Sequence, residues 1–122
     1  KRDIGKLSAF CGAVSAAIGA VCGIAYLKNA KYAEICRIIT NSLATIGGMV
    51  CDGAKSSCAA KIAVALQSAF LASDLAEHCR GFQNGEGLVK DDIEKTITTF
   101  GRMASEGMRF TDQKILELML KK

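Results

Sequence analysis

Cys51 and Cys58 bracket a short polar loop in the stretch GMVCDGAKSSC, residues 48 to 58, and the chain returns to long apolar runs on both sides. Asp52, Gly53, Lys55, Ser56 and Ser57 lie between the two thiols. A loop of this kind can serve as a plain turn, a metal clip, a redox pair or the floor of an active site. Ser56 or Ser57 suits the N-cap of a helix opening at Cys58, so that thiol would face free backbone amides and the positive end of a helix dipole, which favour a thiolate. Six cysteines occur in all, at positions 11, 22, 36, 51, 58 and 79.

A disulfide framework belongs to small secreted chains short of apolar residues, whereas half of this chain is apolar. The default for each cysteine is therefore a small buried core residue. Cys22, Cys36 and Cys79 stand among apolar neighbours within helical patterns and are assigned to packing. Cys11 and Cys22 fall on one expected helix about 16 Å apart along its axis, too far to share one small centre. A closed zinc site needs further ligands near Cys51 and Cys58, yet the single histidine, His78, lies at the far end of the following helix. The same distance excludes a Cys/His catalytic pair, and six intervening residues are too many for the usual redox pair. A thiolate-ligated cluster formed by Cys51, Cys58 and a cysteine of another helix stays open, with Cys11 the candidate.

These residues need elements to hold them. The chain has 122 residues, no proline and no tryptophan, and scattered rather than clustered β-branched residues, so the expectation is one all-α domain of about five helices. They are expected from about Asp3 to Lys28, Lys31 to Val50, Ser57 to Arg80, Asp91 to Glu106 and Asp112 to Lys121. Asn29 and Ala30 mark a tight reversal, Gly81, Gly85 and Gly87 a loop, and Asp91 with Glu94 a capping box. Gly107 suits a helix end and Thr111 the next cap. Gly12, Ala16, Gly19 and Gly23 form a stripe of small residues through which another backbone can approach. Ile93, Ile97, Phe100, Ile115, Leu116 and Met119 are expected core contacts.

The net charge of +4 is uneven, with six Lys/Arg against two acids in residues 1 to 50 and ten against ten thereafter. Seven dispersed aromatics and no dense basic stripe argue against nucleic-acid binding. Leu7 to Leu27 is free of charge for 21 residues, long enough to span a bilayer. It is rich in Ala, Gly, Ser and Cys and is not bracketed by aromatic residues, so a buried helix is expected instead of a membrane span or a signal peptide.

CGAVSAAIGAVCGIAYL followed by NSLATIGGMVCDGAKSSCAAKIA, together with GEGLVKDDIEKTI, resembles the helical alpha domain of iron-sulfur L-serine dehydratases and the branch containing L-cysteine desulfidases. The resemblance covers essentially the whole chain, which looks like the C-terminal portion of a longer protein. It implies a four-iron four-sulfur (4Fe-4S) cluster held by Cys11, Cys51 and Cys58, with one iron left open as a Lewis acid. It also implies β-elimination from a small amino acid, L-serine or L-cysteine, to pyruvate and ammonia with loss of water or sulfide, in the cytoplasm.

Under that reading Lys55 neutralises the substrate carboxylate, Ser56 and Ser57 donate to substrate or cluster sulfurs, Gly53 lets backbone amides approach, and Asp52 orients a neighbour. Asn41 is either a substrate contact or a structural hydrogen-bonding group. No residue here is a persuasive general base, so the base is expected in the remainder of the chain, and the 122 residues alone are expected to be inactive. A homodimer is compatible with these features. The competing readings are a helical interaction or regulatory domain whose cysteines are structural, and a membrane-embedded helical piece.

Overall fold

The computed structural model describes residues 8–121. The expected all-α architecture is the one observed: α1 (Gly12–Leu27), α2 (Tyr32–Ile46), α3 (Cys58–Glu77), α4 (Ile93–Arg102), a π-helical turn (Met103–Gly107) and α5 (Arg109–Leu120). Helices α1, α2 and α3 pack mutually, α4 packs on α2, and α5 contacts only the π turn among the helical elements.

Helix α1 starts later than the pattern predicts, because residues 9 to 11 are extended and their backbone is used elsewhere. Phe10 forms an isolated antiparallel bridge with Val50; the Cys11 amide donates to the Met49 carbonyl at 2.9 Å and the Cys51 amide to the Ala9 carbonyl at 2.6 Å. Cys11 thus becomes the residue preceding the helix, and the expected start at Asp3 lies outside the described residues. The buried face of α1 is Val14, Ala17, Ile18, Val21 and Ala25. Gly12, Ala16, Gly19 and Gly23 are exposed, so the small-residue stripe faces outward and does not mediate close packing.

Two helix ends use left-handed backbone without glycine. After α1, Asn29 has φ 63°, and the Ala30 amide reaches back to the Ala25 carbonyl. After α3, Cys79 has φ 56°, and the Arg80 amide bonds the Leu75 carbonyl. These six-to-one bonds satisfy carbonyls that a helix end leaves free. Cys79 is exposed in that turn, not packed inside a helix as the sequence suggested.

Helix α2 stops at Ile46, where Gly47 lies against Phe100. A Cβ on Gly47 would come within 2.6 Å of the Phe100 ring and 2.4 Å of the Leu43 carbonyl oxygen. The core continues through Phe10, Val14, Ile18, Leu43 and Phe100 on one side, and through Val21, Ile38 and the alanine stripe Ala65, Ala69 and Ala76 of α3 on the other. α3 is the one helix among the described residues with the length and apolar composition to cross a membrane. Its stripe of alanines packs on α1 and α2.

Helix α4 is capped by Asp92, not Asp91: the Asp92 carboxylate accepts from the Glu94 and Lys95 amides at 2.9 and 3.1 Å. Asp91 instead pairs with Lys95. Thr111 lies within α5, which begins at Arg109. No residue of α5 is buried, so Ile115, Leu116 and Met119 are not the core contacts expected of them; Phe100 is buried, with Ile93 and Ile97 half-buried.

Candidate functional site

The bridge between Phe10 and Val50 draws together the segments carrying Cys11 and Cys51, forty residues apart in sequence, with Cys11 bonded to Met49 and Cys51 to Ala9. Cys58 is the first residue of α3. A tight turn delivers it there: the Cys58 amide donates to the Lys55 carbonyl at 2.9 Å and the Ala59 amide to the Ser56 carbonyl at 3.1 Å. Ser57 occupies the N-cap position, but its side chain makes no capping bond. The Cys58 thiol lies 3.6 Å from the Gly53 carbonyl oxygen and accepts from the Lys55 amide at 3.4 Å. Gly53 has φ 91°, a conformation that L side chains rarely adopt, so the loop can turn there to present that carbonyl.

Cys11 and Cys58 line one cavity of about 480 Å³ between α1 and α3, with Ala13, Ala17, Lys61 and Leu66 among its walls. Cys11 is buried, Cys51 and Cys58 are half-buried, and all three are free thiols. Among the described residues no three His, Cys, Asp or Glu side chains are grouped to hold a single metal ion. Thiolates on separate irons of a cluster stand farther apart than ligands sharing one zinc. Three soft donors from three segments, with two lysines beside them, fit such a cluster in chemistry.

Two ammonium groups grip Asp52. Lys55 forms an ion pair with its carboxylate and bonds its backbone carbonyl at 3.0 Å. Lys61 reaches the other carboxylate oxygen at 2.5 Å and the Val50 carbonyl at 2.9 Å. The hydrogen bonds from Lys55 and then Lys61 hold the Asp52 carboxyl well below the usual carboxylate range. Lys61 is raised above the ordinary lysine range, first by its bond to Asp52, with smaller contributions from the charges of Asp52, Cys11 and Cys51.

Lys61 was not singled out by the sequence reading. The available signal was a lone cation one turn into the apolar helix that begins with Cys58, but only the folded register shows that it reaches back to the residues flanking Cys51.

Asn41 does not join this group. It is fully buried; its amide nitrogen donates to the Arg80 carbonyl at 3.2 Å and the Ala72 carbonyl at 3.5 Å, and its oxygen accepts from the Phe82 amide at 3.1 Å. Ala72 lies fourteen residues beyond Cys58, about 21 Å along α3. Asn41 ties the loop after α3 to α2, which is the structural one of the two roles open to it. His78 is exposed at the same distant end, bonded to the Asp74 carbonyl.

No solved structure matches the chain. It is 50% identical over 99% of its length to a UPF0597 protein of Treponema denticola, and 52% identical over 98% of its length to one of Lachnoclostridium phytofermentans. A third UPF0597 protein, from Finegoldia magna, is 48% identical over the whole chain. The chain spans only 28 to 29% of the length of these relatives. The serine dehydratase alpha chain profile matches residues 1–117. The chain belongs to the serine dehydratase alpha chain family.

Proposed function

We propose that residues 1–122 form the cluster-binding domain of a longer amino-acid lyase, with Cys11, Cys51 and Cys58 as the ligands of a 4Fe-4S cluster. The observation that supports this reading is the Phe10–Val50 backbone bridge, which draws together the segments carrying Cys11 and Cys51, while Cys11 and Cys58 line one cavity. When bound, the cluster supplies an electron-pair acceptor for a poor leaving group at neutral pH. The substrate is L-serine or L-cysteine, and the net reaction is β-elimination to pyruvate and ammonia with release of water or sulfide. The protein is cytoplasmic in this reading.

Of the two lysines on Asp52, Lys55 is the more accessible, with its side chain 43% exposed against 25% for Lys61. Lys55 therefore receives the substrate carboxylate, which takes over part of the pairing now made by Asp52. The Ser57 hydroxyl, which has no helix-capping duty, donates to the bound substrate. Gly53 keeps the loop close to the thiols, and Asp52 aligns both ammonium groups. The base that removes the α-proton comes from the remainder of the chain.

The test is anaerobic reconstitution of the full-length protein with ferrous iron and sulfide. The wild type should gain iron, sulfide and a broad visible absorbance band; Cys11→Ser, Cys51→Ser and Cys58→Ser should each lose them, whereas Cys79→Ser should not. Equal iron uptake by wild type and all three ligand variants, or no uptake by the wild type, would overturn the assignment. The isolated 122 residues should not form pyruvate even when iron-loaded, because binding iron does not supply the base or a closed pocket.

A further inference from the structure

We infer that Lys61 is the positioning residue of the thiol site, a clamp that sets the spacing of Cys51 and Cys58. Its ammonium joins Val50 and Asp52, the two sequence neighbours of Cys51, at 2.9 and 2.5 Å. Its backbone belongs to the first turn of α3, three residues beyond Cys58. One side chain thereby ties the segment carrying one thiol to the helix carrying the other.

Among the described residues, no other side chain joins the neighbours of Cys51 to α3 beyond its first residue. The Ser57 side chain does not cap α3. The remaining side-chain bonds join Gly53 and Lys55 of the loop to the Cys58 thiol at the first residue of α3, and reach neither Val50 nor Asp52. The Lys55 ammonium, among the described residues, bonds only Asp52, three residues before it, and so does not reach into α3.

Lys61 is also the one charged side chain among the described residues lining the cavity that Cys11 and Cys58 share, whose other walls are mainly Gly, Ala and aliphatic groups. Its side chain is 25% exposed. An ammonium has three donors and no acceptor, and the clamp uses two of them.

The inference rests on the thiol-ligand reading above, and its test separates the two. In the iron-free full-length protein, alkylation rates of individual cysteines are measured by mass spectrometry, with the exposed Cys79 as internal reference. Lys61→Met should raise the rates at Cys51 and Cys58 severalfold while Cys79 is unchanged; Lys61→Arg, which keeps a cation of similar reach, should restore most of the protection. Asp52→Ala removes the anchor without altering α3 and should loosen the same two thiols, keeping the test decisive if Lys61→Met does not fold.

After reconstitution, Lys61→Met should lose iron to a chelator severalfold faster than the wild type, and Lys55→Met should not. Rates at Cys51 and Cys58 that stay at wild-type values in the folded variants would overturn the clamp, whether or not iron is bound. A wild type that takes up no iron, combined with loosened thiols in Lys61→Met, would instead overturn the cluster reading and leave the clamp standing.

Discussion

Single residues divide by whether their neighbours are set by local sequence or by register between helices. Two glycines make the contrast measurable. Gly47 sits against the Phe100 ring with no room for a methyl group, whereas Gly19 has nothing within 4 Å of an added Cβ. Gly47→Ala should destabilise the chain by about 1 to 3 kcal/mol through overpacking. Gly19→Ala should stabilise it by up to about 1 kcal/mol, because alanine restricts the unfolded chain and suits a helix interior. Equilibrium urea unfolding of the two variants checks both signs; a stabilised Gly47→Ala would show that Phe100 does not hold this position. The sequence marked Gly19, within a stripe of small residues, for close approach and did not single out Gly47, since only the packing of α4 on the end of α2 tells them apart.

The same division governs the site. Cys11, Cys51 and Cys58 stood out because two of them flank a polar loop in an otherwise apolar stretch, and because their spacing carried a family resemblance. Lys61 was passed over and Asn41 was left with two roles open for one reason. A lysine inside an apolar helix and an asparagine inside another declare no partner until the segments are aligned, and here one reaches the thiol loop while the other is spent on the backbone at the distant end of α3.

At the scale of elements, helical identity was legible throughout, since no proline interrupts the chain and good helix formers predominate. The boundaries were less so. Residues 9 to 11 have a helical pattern, yet their amides and carbonyls are drawn into bonds with residues 49 to 51, and α1 can begin only after them. The α4 cap was displaced by one residue because two aspartates adjoin, and only the extended backbone of Asp92 turns its carboxylate onto the first-turn amides. Asp92→Ala should therefore cost about 1 kcal/mol of stability, the usual value of an N-cap. Asp91→Ala removes only an exposed pair with Lys95 and should stay within about 0.5 kcal/mol of wild type. Thermal or urea unfolding decides this, and equal losses would mean that the cap is shared.

For the whole molecule, the described residues bury a small core and leave much apolar surface outside it. On α3, Ile62, Val64, Phe70 and Leu71 are each about half exposed, and on α5, Phe110, Leu118 and Leu120 are more exposed still. The relatives are more than three times as long as this chain. Amide exchange in α5 should accordingly be fast in the isolated 122 residues, because the helix lacks buried contacts, and markedly slower in the full-length protein. Unchanged fast exchange in the full-length protein would show that α5 stays uncovered there. This scale was the least legible in the sequence: α5 has an ordinary amphipathic pattern, and nothing local distinguishes a helix that packs within its domain from one that awaits a neighbour.

Many small metal-binding domains depend on their ligand for folding, since the donors are brought together only by binding. The Phe10–Val50 bridge places this chain in a different regime. Main-chain bonds already hold two thiol-bearing segments side by side, and a hydrophobic core stands behind them. If the proposed cluster is bound there, it can be lost to oxidation and rebuilt without the chain unfolding, so that repair would not require resynthesis.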